Sequence, residues 1–211
     1  MSDEVTPDLQ PTATKRRSRN KLWLFLGVAP ILIIGIIDAT ITHKTLQKIE
    51  KVQDTKCKDN LKQLACALKL YAMDNADRFP NDDGMEGLSK LQGEYLKDYS
   101  SCFCPSAKTK TVHGKLTDKD ISYVYFGDFV DCSGDHWPQY FDYPLIFDRP
   151  GNHKDHMNYI TMYGPRTLKT KAKTCSEFIE ALGGKFKSDP KILKIIREKA
   201  AEADRRYSQE K

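Results

Sequence analysis

The chain has 211 residues, of which 39% are hydrophobic and 30% charged, enough for one modest domain with appendages and a core of its own. Its net charge of +5 is spread along the sequence. That spread argues against a dedicated nucleic-acid surface, and basic residues flanking an apolar segment account for much of it.

The first 20 residues are polar, contain Pro7 and Pro11, and read as a disordered tail, with residues 1–21 forming a basic cytoplasmic segment. Lys15, Arg16, Arg17, Arg19 and Lys21 precede an uncharged run over 22–37, LWLFLGVAPILIIGII. Spanning a bilayer takes about 20 residues, and adding Asp38 and the apolar or small residues up to Thr42 supplies that length. The expectation is a single transmembrane helix over 22–42, bent at Pro30. The dense basic cluster sets the N-terminus in the cytoplasm of an inner membrane and the rest in the periplasm or outside. Three alternatives compete. A cleaved signal peptide has the same layout, but Ile37-Asp38-Ala39 is a poor small-x-small site. Arg16-Arg17 hints at twin-arginine export, yet Ser18, Arg19 and Asn20 do not continue such a signal. A buried core helix is the third.

No Pro or Gly occurs from Thr42 to Asn75. Cys57, Leu61, Leu64, Leu68 and Tyr71 recur at helical spacing, with Ala65 and Ala72 beside them and Lys56, Lys58, Asp59, Lys62 and Lys69 on the other faces. A long amphipathic helix over 43–75 is expected, continuous with the apolar one. Residues 85–96 read as a second short helix after the Asp82-Asp83-Gly84 turn. Residues 121–126, 143–147 and 157–163 read as strands. Between the last two, Arg149-Pro150-Gly151-Asn152 has Pro and Gly at the central positions of a type II turn, which implies a hairpin. Residues 174–182 read as a helix stopped by Gly183-Gly184. Asp189 and Pro190 are suited to start a last helix whose apolar face is Ile192, Ile195, Ile196, Ala200 and Ala203. The expected fold class is α+β, with a long helix packed on a small antiparallel sheet over 43–168 and a helical C-terminal extension over 169–211.

The stretch from Leu68 to Leu91 carries Leu70, Tyr71, Asp74, Asn75, Phe79, Pro80, Gly87 and Leu88 in an order that resembles the major pseudopilin of type II secretion systems and related type IV pilin-like proteins. The run from Cys57, CKDNLKQLACALKLYAMDNADRFP, is similar to a bacterial pilin-like group with a C-x-x-N-L-K-Q-L helix, a later F-x-C-P-S element and an H-x9-D-G motif. Cys102-Phe103-Cys104-Pro105-Ser106 resembles the second element, and Ser122-Tyr123-Val124-Tyr125 a strand typical of the group. His153 and Gly164 have the spacing of the third motif, with Tyr163 where Asp is expected. The resemblance covers about half the chain. It implies a pilin-like fold with no enzymatic activity and no cofactor, accessory to secretion or pilus-type assembly. The implied partners are the membrane, through 22–42, and other envelope or pilin-like proteins. One departure stands out. Pilins begin with a Gly-Phe-Thr-Leu-Ile-Glu processing site, whereas this chain has Lys21-Leu22-Trp23-Leu24-Phe25, which fits a permanent anchor better than a filament subunit.

Six cysteines, Cys57, Cys66, Cys102, Cys104, Cys132 and Cys175, all follow the apolar segment. An even number on one side of a membrane suits disulfides in an oxidising compartment, against the alternative of ordinary cytosolic thiols. Cys57 and Cys66 lie on roughly opposite faces of one helix, and Cys102 and Cys104 are too close for an easy bridge. The favoured cross-link therefore joins a helix cysteine to Cys102 or Cys104 and contributes about 2–4 kcal/mol. Cys102, Cys104, Cys132 and His136 have the ligand types for zinc, at a tighter first spacing than usual. Asp74, Asp77, Asp82 and Asp83 could hold calcium, which pseudopilins often bind in a loop, but they lack EF-hand spacing. His153 and His156 lie near Asp148 and Asp155, without any hydrolase or phosphate-loop motif. Trp137 and Tyr140, in an aromatic-rich loop, and His153 are candidates for contact with a ligand or glycan. They support the alternative of an anchored binding module that reuses the fold.

Overall fold

The structure is a computed structural model and describes residues 19–107, 116–127, 143–161, 164–183 and 190–208, with the side chains of 19–30 outside that description. It is α+β: a long N-terminal helix, a four-stranded antiparallel sheet and C-terminal helices. Two compact units divide the chain, Met1–Lys48 and Ile49–Lys211.

Helix α1 runs Arg19–Asp74 without interruption, as the absence of Pro and Gly over its second half allows. In the second unit its stripe of Cys57, Leu61, Leu64, Ala65, Leu68 and Ala72 is buried. Ala76 and Asp77 end it in left-handed conformation, with the Asp77 N–H reaching back to the Ala72 carbonyl at 2.8 Å. Helix α2, Gly84–Ser89, is shorter than the expected 85–96. Gly93 takes φ of +89°, and residues 91–96 fold into a tight turn in which Leu96 N–H bonds Leu91 O. A single 3-10 turn, Ser100–Cys102, follows.

The sheet orders its strands β1 (Tyr123–Tyr125), β2 (Pro144–Asp148), β3 (Met157–Thr161) and β4 (Pro165–Leu168), every neighbour antiparallel. The β2–β3 hairpin forms as expected. Gly151 has φ of +94°, which the second central position of a type II turn requires, and Asn152 N–H closes it on Arg149 O. Strand β4, absent from the expected elements, begins with a proline on the sheet edge, where no ladder donor is needed. The strand expected over 157–163 ends at Thr161, and residues 162 and 163 lie outside the description.

Both faces of the central strands are buried, which makes a third layer. Tyr123, Tyr125, Ile146, Asp148 and Asn158 share the face toward α1: Tyr123 Oη reaches Cys57 O at 3.4 Å, and Asn158 Nδ2 donates to Asp54 at 2.8 Å. Phe147 and Tyr159 look the other way, onto Phe178 of α3 (Cys175–Gly183), with ring centroids 4.6 and 5.7 Å apart. Helix α4, Pro190–Ser208, packs on α3 through Ile192, Ile196, Ala200 and Ala203. Its Asp204 carboxylate accepts the backbone N–H groups of Cys175 and Ser176, which caps the start of α3. The residues expected to form an extension thus close the second face of the sheet. The start of α4 at Pro190 matches the sequence reading, while Asp189 lies outside the described residues.

Candidate functional site: a histidine and carboxylate cluster beside a disulfide

Three segments far apart in sequence meet where α1 crosses the end of the β2–β3 hairpin. Helix α1 supplies Asp54, Cys57 and Asn60 from successive turns of one face, the i, i+3, i+6 spacing that a helix brings together. Cys104 comes from the segment after the 3-10 turn, and Asn60 Nδ2 holds that segment by donating to Phe103 O at 2.7 Å. Cys57 and Cys104 form a disulfide with Cα atoms 5.1 Å apart. This is one of the favoured pairings, and it places Cys57, Cys104 and His153, each from a different motif of the pilin-like resemblance, around one point. Closing a loop of 47 residues contributes about 4 kcal/mol on chain-entropy grounds.

Around the bond stand the last residue of β2, the turn and β3. His153 Nε2 lies 3.6 Å from Cys104 Sγ, 3.3 Å from Asp148 Oδ2 and 3.3 Å from Asn158 Nδ2. Its side chain is 4% exposed and that of Asp148 is 0% exposed, so both are core groups. Asp148 Oδ2 accepts the Asn158 N–H at 2.7 Å, whereas its Oδ1 is buried without a hydrogen-bond partner. The His156 ring stacks on that of His153, centroids 4.6 Å apart. Its two nitrogens face Asp54 Oδ1 at 2.7 Å and Asp155 Oδ1 at 2.8 Å.

Burial opposes the charge on Asp54, but hydrogen bonds from Lys58, His156 and Asn158 outweigh it and hold the carboxyl far below its usual range. Burial also works against protonated His156, and the hydrogen bonds to Asp155 and Asp54 prevail, raising it above an ordinary histidine. Beside the cluster lies a cavity of about 410 Å³ lined by Glu50, Gln53, Ser106, Asn152, His153 and His156. The arrangement can accept a polar or cationic ligand. It offers no activated thiol nucleophile, because the sulfur next to His153 is bonded to Cys57.

The other singled-out residues are dispersed. Cys66 is an exposed thiol; Cys102 and Cys175 are buried thiols. Burial, and then the charge of Asp98, pushes Cys102 up to about 12. The zinc arrangement of Cys102, Cys104, Cys132 and His136 loses the Cys104 sulfur to Cys57, and Cys132 and His136 lie outside the described residues, as do Trp137 and Tyr140. His153, a candidate for ligand contact, packs against the disulfide and also lines the cavity. The four aspartates considered for calcium have separate partners or positions. Asp74 accepts the Tyr95 hydroxyl, Asp77 sits in the left-handed helix end, Asp82 pairs with Lys90, and Asp83 takes the Gly127 N–H and Lys199. Among the described residues the groups whose ligating atoms converge are Cys57, Cys104, Asp148 and His153, and Asp54, His153 and His156. Asp54 and Asn158 escaped the sequence reading, although Asp54 stands one helical turn before Cys57 on the same face.

Among the described residues no helix is long and apolar enough to cross a membrane, and the side chains of residues 22–30 of the expected span lie outside the description. Comparison of the chain with protein-family profiles, curated proteins and solved structures finds no match.

Proposed function

We propose that the chain is a membrane-anchored envelope protein whose pilin-like extracytoplasmic domain has a non-enzymatic, accessory role in secretion or pilus-type assembly. The observation that carries this reading is the contrast along α1. In its second half one stripe is buried. In its first half Ile31, Leu32, Ile33, Ile34, Ile36 and Ile37 are all exposed, on every side of the helix. An apolar surface that wraps a whole helix calls for an apolar surrounding rather than a one-sided core. Thr40 Oγ1 returns its hydrogen bond to Ile37 O at 2.8 Å, the internal satisfaction that hydrocarbon demands. Lys15, Arg16, Arg17, Arg19 and Lys21 before the run orient it with the N-terminus in the cytoplasm. The Cys57–Cys104 disulfide in the second unit suits an oxidising compartment on the far side.

The test is fractionation of cells expressing the full chain and a version starting at residue 43. The full chain is expected in the membrane pellet after alkaline carbonate washing, with Cys66 labelled by a membrane-impermeant maleimide from outside the inner membrane. The shortened chain is expected in the soluble fraction. Release of the full chain by carbonate, or labelling of Cys66 only from the cytoplasmic side, would sink the anchor and its orientation.

The cavity beside His153 and His156 favours a second reading, an anchored binding module for a small polar ligand. That module predicts a ligand-induced rise in melting temperature which His156→Ala removes. No shift across panels of glycans, peptides and cations would reject it.

A further inference from the structure

We propose that Cys57, Cys104, His153 and Asp148 form a tetrahedral site for a zinc-type divalent ion in the chain whose disulfide has been opened, so that bond and metal are alternative closures of one core position. The ligating atoms of the four residues lie within 4.8 Å of one another. A tetrahedral zinc with usual bond lengths sets its sulfur and nitrogen ligands about 3.6 Å apart and its nitrogen and oxygen ligands about 3.4 Å apart. The separations here are 3.6 Å from Cys104 Sγ to His153 Nε2 and 3.3 Å from His153 Nε2 to Asp148 Oδ2. The same histidine nitrogen thus already faces both a sulfur and a carboxylate oxygen. The two sulfurs must part, to about 3.8 Å, by turning their side chains.

A separate observation points to a cation. Asp148 is 0% exposed, and its Oδ1 has no hydrogen-bond partner. A carboxylate oxygen left this way is costly in a core, and an ion approached by both oxygens of Asp148, Oδ1 as well as the Oδ2 that faces His153, is one of the partners that resolve it. Outer contacts are also in place. The Asn158 N–H fixes the Asp148 carboxylate, and Asn60 fixes the carbonyl of Phe103 next to Cys104. Two sulfurs, an imidazole and a carboxylate form a soft to borderline donor set that selects zinc over magnesium or calcium. The neighbouring group of Asp54, His153 and His156 is poorer. Its two imidazoles stack at 23°, so their in-plane lone pairs run side by side, and the Asn158 amide already occupies Asp54 Oδ1.

The redox step balances with a dithiol as reductant. The Cys57 Sγ–Cys104 Sγ bond breaks, two electrons and two protons pass to the sulfurs, and the dithiol closes to its own disulfide. Zinc then displaces the two thiol protons to solvent. In an oxidising compartment the disulfide is the resting form, and the metal form belongs to the chain that a dithiol has opened.

The test uses the full chain in detergent, reduced with dithiothreitol, freed of it by anaerobic gel filtration and titrated with Co²⁺ and then Zn²⁺. The expected result is one Co²⁺ per chain, with tetrahedral visible bands and a thiolate-to-metal charge-transfer band, displaced by Zn²⁺ and absent from the oxidised chain. Asp148→Asn keeps the shape and the acceptor for Asn158. It should weaken binding by more than the roughly 10–100-fold that loss of an outer contact costs. Cys132→Ser with His136→Ala should leave binding unchanged. A reduced, folded chain that takes no Co²⁺ overturns the proposal. So does binding that survives Asp148→Asn but is lost in the Cys132 and His136 variant. If reduction alone unfolds the chain, zinc should restore its circular dichroism, and failure to do so also overturns it.

Discussion

His156 donates to Asp155 and Asp54 from its two ring nitrogens, so the doubly protonated ring is the form that satisfies both carboxylates. Its value in the fold is raised above the ordinary 6.5, so its contribution is fully present below 6.5 and is lost as pH rises through the raised value. Asp54 is lowered from 3.8, so its contribution is present above 3.8 and is lost only as pH falls toward the lowered value. The oxidised chain should therefore resist urea best between these limits, and its midpoint should drop as pH is raised from about 6 to about 8.5. His156→Gln should flatten that alkaline limb and leave the acid limb in place. Urea titrations of both proteins across this range decide it, and an unchanged limb in the variant would remove His156 as its cause. The histidines and their neighbouring aspartates were visible in the sequence as a group around a turn. What was not visible is that Asp54, 102 residues before His156, completes them, because long-range pairing across a helix and a hairpin leaves no local pattern.

Helix α1 and the β2–β3 hairpin were legible because each carries its own period or turn chemistry: a 3.6-residue apolar stripe in one, Pro150-Gly151 between two apolar runs in the other. Residues 91–96 and β4 were not. Leu88, Leu91 and Tyr95 fall at i, i+3 and i+7, a spacing that also fits a helix, and the positive φ of Gly93 breaks that continuation. Strand β4 is short, largely exposed and starts with proline, so it carries no alternating pattern, and its pairing with β3 defines it. The stripe can be tested directly. Leu64 is 0% exposed and Met73, on the same helix, is 72% exposed. Leu64→Ala should cost about 2–5 kcal/mol in urea unfolding. Met73→Ala should change stability by no more than about 0.5 kcal/mol. Equal effects would mean that the two faces of the helix are not distinguished as described.

Taken as a whole, the second unit is closed by its C-terminal helices, and this is the feature that local sequence reading left open. The apolar faces of 174–182 and of the last helix were evident, but a helix with one apolar face fits a partner protein as well as its own domain. What decides for the domain is burial together with specific polar contacts. Phe178 stacks on Phe147 of the sheet, Asp204 caps α3, Lys199 reaches Asp83 at 2.9 Å, and Arg206 reaches Asp118 at 3.0 Å. The Arg149 guanidinium lies 4.1 Å over the Tyr207 ring, tying the same helix to the hairpin turn. Removing residues 190–211 would expose the α3 side that Ile192, Ile196, Ala200 and Ala203 cover, and would leave Asp83 and Asp118 without their basic partners. Each fully buried Ile alone is worth about 1.5–3 kcal/mol. The combined loss, about 5 kcal/mol or more, equals the whole stability of many domains. The truncated chain should therefore lose its cooperative melt and bind a dye specific for exposed apolar surface, even with the Cys57–Cys104 bond intact. A cooperative melt within a few degrees of the full chain would show that α4 is peripheral, and would return its apolar face to the role of a docking surface for a partner.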